Sequence, residues 1–174
     1  MYDKEGHLIE NDFYIPLTFT ALQDSAIALS TVGSPYTISL QYNKNNTGWQ
    51  EWSNYAEPIQ LATNDILTLS GANDNFNKGF SDYYNFIMTG QLASSGNMNS
   101  VINFTQNLTS EYCYYCLFKY CSALVSAPKL PSRSVSESCY RSMFDRCTSL
   151  TSAPYLPYFD TIANNCFRAM FSHC

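Results

Sequence analysis

The chain has 174 residues, enough for one domain or for two small ones sharing a surface. Its net charge of −5 with only 9 Lys and Arg leaves no basic stripe, which argues against nucleic-acid binding through phosphates. No run of about 18 apolar residues occurs, so no segment reads as a membrane-crossing helix and no membrane insertion is expected.

The start, Met1 to His7, is polar and lacks the apolar segment of a signal peptide. Residues 1–14 therefore read as a tether, and any export signal is expected outside this chain. From Ile15, short alternating runs separated by turn residues take over. Residues 17–21, 26–30 and 37–42 predict half-buried strands, with Gly33-Ser34-Pro35 between the last two. Residues 43–48 predict a turn, leading to Trp49 and Trp52. Residues 58–61 and 65–71 predict two more strands, 71–81 a loop rich in Asn, Asp and Gly, and 84–89 a final strand. Together, residues 15–91 predict a small β-sandwich-like antiparallel domain.

Residues 92–112 read as a degenerate first repeat or solenoid cap, with Val101, Ile102, Phe104 and Leu108 giving apolar surface for the seam. The alternative is a separate domain joined by a linker at 92–97. Residues 113–174 repeat themselves. Cys113 to Cys121 recurs as Cys139 to Cys147 and as Cys166 to Cys174, at spacings of 26 and 27 residues. The unit is Cys, aromatic, two free positions, Leu or Met, Phe, two free positions, Cys. A unit this short cannot enclose a core by itself, so its apolar face must be covered by the next copy. That predicts stacks of Cys113, Cys139 and Cys166; of Leu117, Met143 and Met170; of Phe118, Phe144 and Phe171; of Cys121, Cys147 and Cys174; and of Leu124 with Leu150. The apolar spacing within each unit predicts a short helix or turn, and residues 124–127 predict a short strand stopped by Pro128. Copies of that strand are expected side by side in a narrow parallel sheet.

Residues 162–174, read with Cys147-Thr148-Ser149-Leu150, resemble the BspA-type leucine-rich repeat of bacterial surface proteins, Ile-Gly-x-x-Ala-Phe-x-x-Cys-x-x-Leu. Cys166 stands in the Ile slot and Met170-Phe171 in the Ala-Phe slot. The family's unit is a few residues shorter. Residues 17–21, Leu40-Gln41-Tyr42 with Trp49 and Trp52, 66–71 and Thr89-Gly90 are similar to the β-rich segment that precedes such repeats in surface proteins of gut Bacteroidetes and some of their phages. The resemblance implies a β-rich, mixed α/β fold, in which a small antiparallel β domain is followed by a short leucine-rich-repeat solenoid at 113–174. Cys174 closes a unit whose strand and capping repeat do not follow, so a truncated array is expected.

Chemistry has little support in the sequence. Cys113, Cys116 and Cys121 hold a zinc-like half-site, but Cys116 has no counterpart at Ser142 or Ala169, and the other cysteines recur with the repeat. Buried thiols are the preferred reading, with disulfides as the alternative in an oxidising setting. No metal and no cofactor are expected. His7 and His173 offer no base for a nucleophile. Glu57, Asp65, Asp74 and Asp82 lie in turns, where carboxylates are ordinary. Asp74 and Asp82 among asparagines fit no EF-hand spacing. Asn45, Asn103 and Asn107 begin glycosylation patterns that matter only in a eukaryotic secretory route.

The function expected is therefore non-enzymatic. The resemblance implies a cell-surface or extracellular adhesion module, expected to contact a protein or glycoprotein of a host or neighbouring cell through its repeat surface; the alternative is a phage virion structural or receptor-binding component. Tyrosine supplies 14 residues, which suits contact surfaces or the edges of a β-rich core. Lys119, Arg141 and Arg168, at free repeat positions, are expected to form a basic, partner-facing row.

Overall fold

Apolar alternation sets the strands of the first half. The structure, a computed structural model, describes residues 13–174. β1 (Leu17–Ala21), β2 (Ser25–Val32), β3 (Gln41–Lys44), β4 (Trp49–Glu51), β5 (Ile59–Leu61), β6 (Ile66–Ser70), β7 (Tyr83–Thr89) and β8 (Leu92–Ser95) are followed by a 3-10 turn at Met98–Val101. The short strands β9 (Asn107–Leu108), β10 (Leu124–Ser126), β11 (Ser134–Val135) and β12 (Thr161–Ile162) complete the chain. In β1, Leu17, Phe19 and Ala21 are buried while Thr18 and Thr20 are half-buried, the period of two that a pleated strand imposes.

The sheets run β10-β8-β1-β6-β3-β4, β5-β2-β7 and β12-β11-β9. Phe19 of β1 meets Phe86 of β7 edge-on with ring centroids 5.8 Å apart, so the first two sheets pack face to face. Residues 37–40 carry no strand, although Ile38 and Leu40 are buried, and β3 begins only at Gln41. β8, expected as linker or degenerate repeat, pairs antiparallel with β1. The tether reading falls on residues 1–12, outside the described residues, apart from Phe13 and Tyr14, whose rings lie 6.2 and 5.8 Å from that of Phe104.

The expected mixed α/β chain ending in a truncated leucine-rich-repeat solenoid does not form. From Ile15 onward there is no α-helix, and the protein is a small β-rich domain with several sheets. The copies of 124–127 do not line up in one sheet. β10 joins the six-stranded sheet beside β8, while the second copy carries no strand there and reaches β10 through the Thr151 N–H, which donates to the Val125 carbonyl (3.1 Å).

The segments expected as helices are chains of tight turns. In the first copy the N–H groups of Tyr115, Leu117, Lys119 and Cys121 donate three residues back. Those between them, of Tyr114, Cys116, Phe118 and Tyr120, donate to the carbonyls of Cys139, Arg141, Met143 and Asp145 at 2.8–3.1 Å. An α-helix would need those alternate N–H groups for its own ladder. Every fourth residue also has positive φ: Tyr112, Cys116 and Tyr120, then Ser138, Ser142 and Arg146, then Asn165, Ala169 and His173. That left-handed conformation breaks a right-handed helix at each occurrence.

The copies still lie in register. Tyr114, Tyr140 and Phe167 stack at 5.9 and 5.7 Å, and Phe118, Phe144 and Phe171 at 5.4 and 5.7 Å. Cys113, Leu117, Phe118, Cys121, Leu124, Cys139, Met143, Phe144, Cys147, Cys166 and Met170 are buried, whereas Leu150 is half-buried and Phe171 and Cys174 are exposed.

The first copy rests on the strand half, which meets each of its outward carbonyls with a donor. Cys113 O accepts from the Asn77 N–H (3.1 Å), Tyr115 O from Asn77 Nδ2 (2.8 Å), Leu117 O from the Phe86 N–H (2.8 Å) and Lys119 O from Asn85 Nδ2 (2.9 Å). The Phe86 ring stacks on Phe118 at 5.0 Å. Residues 92–112 support the rest of the first copy: β8 pairs with β10, Met98 N–H donates to Lys129 O (3.0 Å), and β9 pairs with β11. One continuous apolar core therefore runs from Leu17 to Met170.

Phe144 is fully buried between two stacked rings, whereas Phe171 is 37 % exposed. In denaturant titrations Phe144→Ala is expected to lose about 3–5 kcal/mol and Phe171→Ala less than about half of that.

Candidate functional site

Between β6 and β7 the chain makes a tight loop that carries Phe80 to the surface. The Lys78 and Gly79 N–H groups donate to Asp82 O (3.0 and 3.3 Å). The Asp82 carboxylate accepts the Ser34 N–H (2.7 Å) and the Ser81 hydroxyl (2.9 Å), bonds that hold it below its ordinary pKa. This pins the loop to the turn after β2. There Gly33 has φ +64°, and an added Cβ would sit 2.0 Å from Ser81 O, so no side chain fits.

Phe80 is 49 % exposed and meets Tyr112 at 4.7 Å and Tyr115 at 5.3 Å, while Tyr83 meets Tyr115 edge-on at 5.2 Å. The Arg141 guanidinium lies 4.6 Å from the Phe80 ring centroid. Beside this cluster Tyr120, 62 % exposed, holds the Lys119 ammonium at 5.2 Å and the Arg146 guanidinium at 5.5 Å over its ring. Lys78 lies 5.9 Å over Tyr36 at the flank.

The expected basic row of Lys119, Arg141 and Arg168 does not form as one column. The ring stacks align Tyr115, Arg141 and Arg168 in one column and Lys119, Asp145 and Ser172 in another. Lys119 is therefore held by Asp145 (3.2 Å), which also meets His173 Nδ1 (3.4 Å). Sequence reasoning missed Phe80, Tyr112, Tyr115, Tyr120 and Arg146 as individual residues. The available signal was that the first copy puts tyrosine at positions where later copies hold Ser138, Arg141 and Arg146.

The cysteines are all free thiols, and only Cys174 is exposed. Five of the six that recur donate to carbonyls: Cys139 to Ser110 (3.2 Å), Cys166 to Ser136 (2.9 Å), Cys121 to Phe86 (3.1 Å), Cys147 to Phe118 (3.0 Å) and Cys174 to Phe144 (2.9 Å). Burial pushes Cys139 and Cys147 up to about 12, and raises Cys113, Cys121, Cys116 and Cys166 as well. Thiols so placed supply no thiolate for nucleophilic attack at neutral pH. Among the described residues no group of three or more His, Cys, Asp or Glu gathers as a metal site.

The carboxylates considered for acid–base work fasten turns instead. Asp65 accepts from Lys44 Nζ (2.8 Å), Asn45 Nδ2 (2.7 Å) and the Ala62 N–H (2.9 Å), and these bonds, Lys44 first, lower its pKa to about 2. Glu57 accepts from Asn54 Nδ2 (3.4 Å). Asp74 lines a cavity of about 340 Å³ with Asn103, Asn107, Thr109 and Cys113. Asn73, at its wall, accepts the Ser39 N–H and donates to the Ser39 and Val101 carbonyls. His7 lies outside the described residues.

Comparison of the chain with protein families, with curated proteins and with solved structures returned no match. The geometry itself is therefore the ground for a functional reading.

The Asp65 pKa is about 2 in the fold against an ordinary 3.8, so its contribution is complete above about pH 4 and is lost as pH falls towards 2. The difference in Tm between wild type and Asp65→Asn is expected to shrink across that window in thermal melts. Ellman's reagent added to the native protein is expected to titrate Cys174 rapidly and the six buried thiols only after denaturation.

Proposed function

We propose that this chain is a non-enzymatic binding module of a cell surface, which holds a protein or glycoprotein of a host or neighbouring cell through the Phe80–Tyr112–Tyr115–Tyr120 face and its arginines. The observation that carries this reading is the contact of Arg141 with an exposed Phe80 that is itself held between Tyr112 and Tyr115. Large rings with few rotatable bonds lose little entropy on contact, and Tyr and Arg dominate the energetic centres of protein interfaces. The loop that carries Phe80 is fastened through Asp82 and Ser34, so the face is preorganised. Six of the seven thiols are buried and Asp65 and Asp82 fasten turns, which supports a binding role over a catalytic one. The resemblance of residues 162–174 to the BspA-type motif supports the cell-surface setting; the leucine-rich-repeat fold is no part of the reading.

The test is binding of the labelled chain to immobilised mucin glycoprotein and to epithelial cells, with Phe80→Ser/Tyr120→Ser as the comparison. Wild type is expected to bind at least about tenfold more tightly than the double variant at equal Tm. Equal binding by the two proteins, or no binding by wild type to either surface, would falsify the reading.

A further inference from the structure

We propose that the partner reaches this face with carboxylates, as an acidic polypeptide segment that also carries apolar side chains. The inference rests on the binding role proposed above and names the chemistry of what is bound. The chain is acidic, at −5, yet Lys78, Lys119, Arg141, Arg146 and Arg168, five of its 9 cations, lie on or beside this one face. Two carboxylates of the face are engaged: Asp82 accepts from Ser34 and Ser81, and Asp145 is shared by Lys119 and His173. Arg141, Arg146 and Arg168 have no carboxylate within ion-pair distance among the described residues.

The rings fix how two of those arginines are presented. A guanidinium lying on a ring uses one flat face for the contact and keeps its in-plane N–H edge open for a bidentate carboxylate. Arg141 lies 4.6 Å over the Phe80 ring and Arg146 5.5 Å over that of Tyr120, the contact from which such a presentation starts. Arg141 and Arg168 stand in neighbouring copies, whose rings are 5.7 Å apart at Tyr140 and Phe167. Two acidic side chains on the same side of an extended segment are about 6.7 Å apart, a spacing that reaches both arginines.

The interleaving favours polypeptide over sulfated glycan. The cations are interleaved with rings, Arg141 lying over Phe80 and Lys119 and Arg146 over Tyr120, and Asp145 is paired with Lys119 among them. A densely sulfated chain gains most from an unbroken cation stripe, whereas a peptide brings carboxylates for the arginines and apolar groups for Phe80 and Tyr120.

The experiment uses the full chain in biolayer interferometry against three probes: a peptide alternating Glu and Leu, the same peptide with Gln for Glu, and heparin. The Glu peptide is expected to bind at least about tenfold more tightly than the Gln peptide, and to weaken as salt is raised. Arg141→Gln/Arg146→Gln/Arg168→Gln is expected to lose that preference, while Arg133→Gln, whose native partner is Asp160 elsewhere, keeps it. If the triple variant melts early, the exposed pair Arg146 and Arg168 is changed alone, with a partial loss of the preference expected. Equal binding of the Glu and Gln peptides, or a preference the variants leave intact, overturns the inference. Tighter, arginine-dependent binding of heparin overturns it in favour of a sulfated glycan. If the arginine variants still hold the mucin or cell surface that Phe80→Ser/Tyr120→Ser releases, the acidic partner fails while the binding role stands; if neither set changes that binding, the role itself fails.

Discussion

The hydrogen bonds from Asn77, Asn85 and Phe86 to the outward carbonyls of the first repeat copy are what the rest of the structure depends on. A copy built of alternating turns sends its N–H groups to one side and leaves carbonyls on the other. A buried carbonyl without a donor costs on the order of 1–3 kcal/mol, so the stack needs a donor row to begin on. β7 supplies one donor as the Phe86 N–H and another as Asn85 Nδ2, and the Asn77 N–H and Nδ2 supply the other two. Asn77 is in turn fixed by Tyr84, whose N–H donates to its Oδ1 at 2.7 Å.

This closure joins the two halves of the chain and also builds the aromatic face. Asn77 begins the same loop that presents Phe80 and ends at Asp82, so one short segment both carries the stack and positions its aromatic neighbour. Tyr112 and Tyr115 belong to the copy that this segment supports. Arg141 comes from the second copy and reaches Phe80 only because the copies are in register. The aromatic face is thus a product of the seam, assembled from residues that are distant in sequence and held by groups with little freedom to move.

Much of the packing was legible in the sequence. The repeat register identified Cys113, Phe118, Cys139, Met143, Phe144 and Cys166 as inward, and they are buried. The conformation of the unit was harder to read. Cys113, Leu117 and Cys121 are spaced by four, as are Tyr114 and Phe118, and over nine residues that spacing resembles a helical period of about 3.6. It is the period of the left-handed residues, and these are Tyr, Cys, Ser, Arg, Asn, Ala and His, which announce no positive φ as glycine would. The motif's likeness to a leucine-rich repeat lay in side-chain order, which turns and helices of equal spacing share. The capping asparagines were equally hidden: Asn77 lies in a stretch where asparagine signals a turn, and Asn85 on a strand. The face was visible only as an excess of tyrosine, because the partners of Phe80 come from the first two copies.

Native-state hydrogen exchange as denaturant is raised tests the central claim most directly, following the amides of Tyr114, Cys116, Phe118 and Tyr120 beside those of β2 and β7. If the strand half and the repeat share one core and one seam, these two sets of amides open together with the same free energy and the same dependence on denaturant. Early opening of the repeat amides, with β2 and β7 still protected, would contradict the account and make the stack a separate unit that merely leans on the sheets.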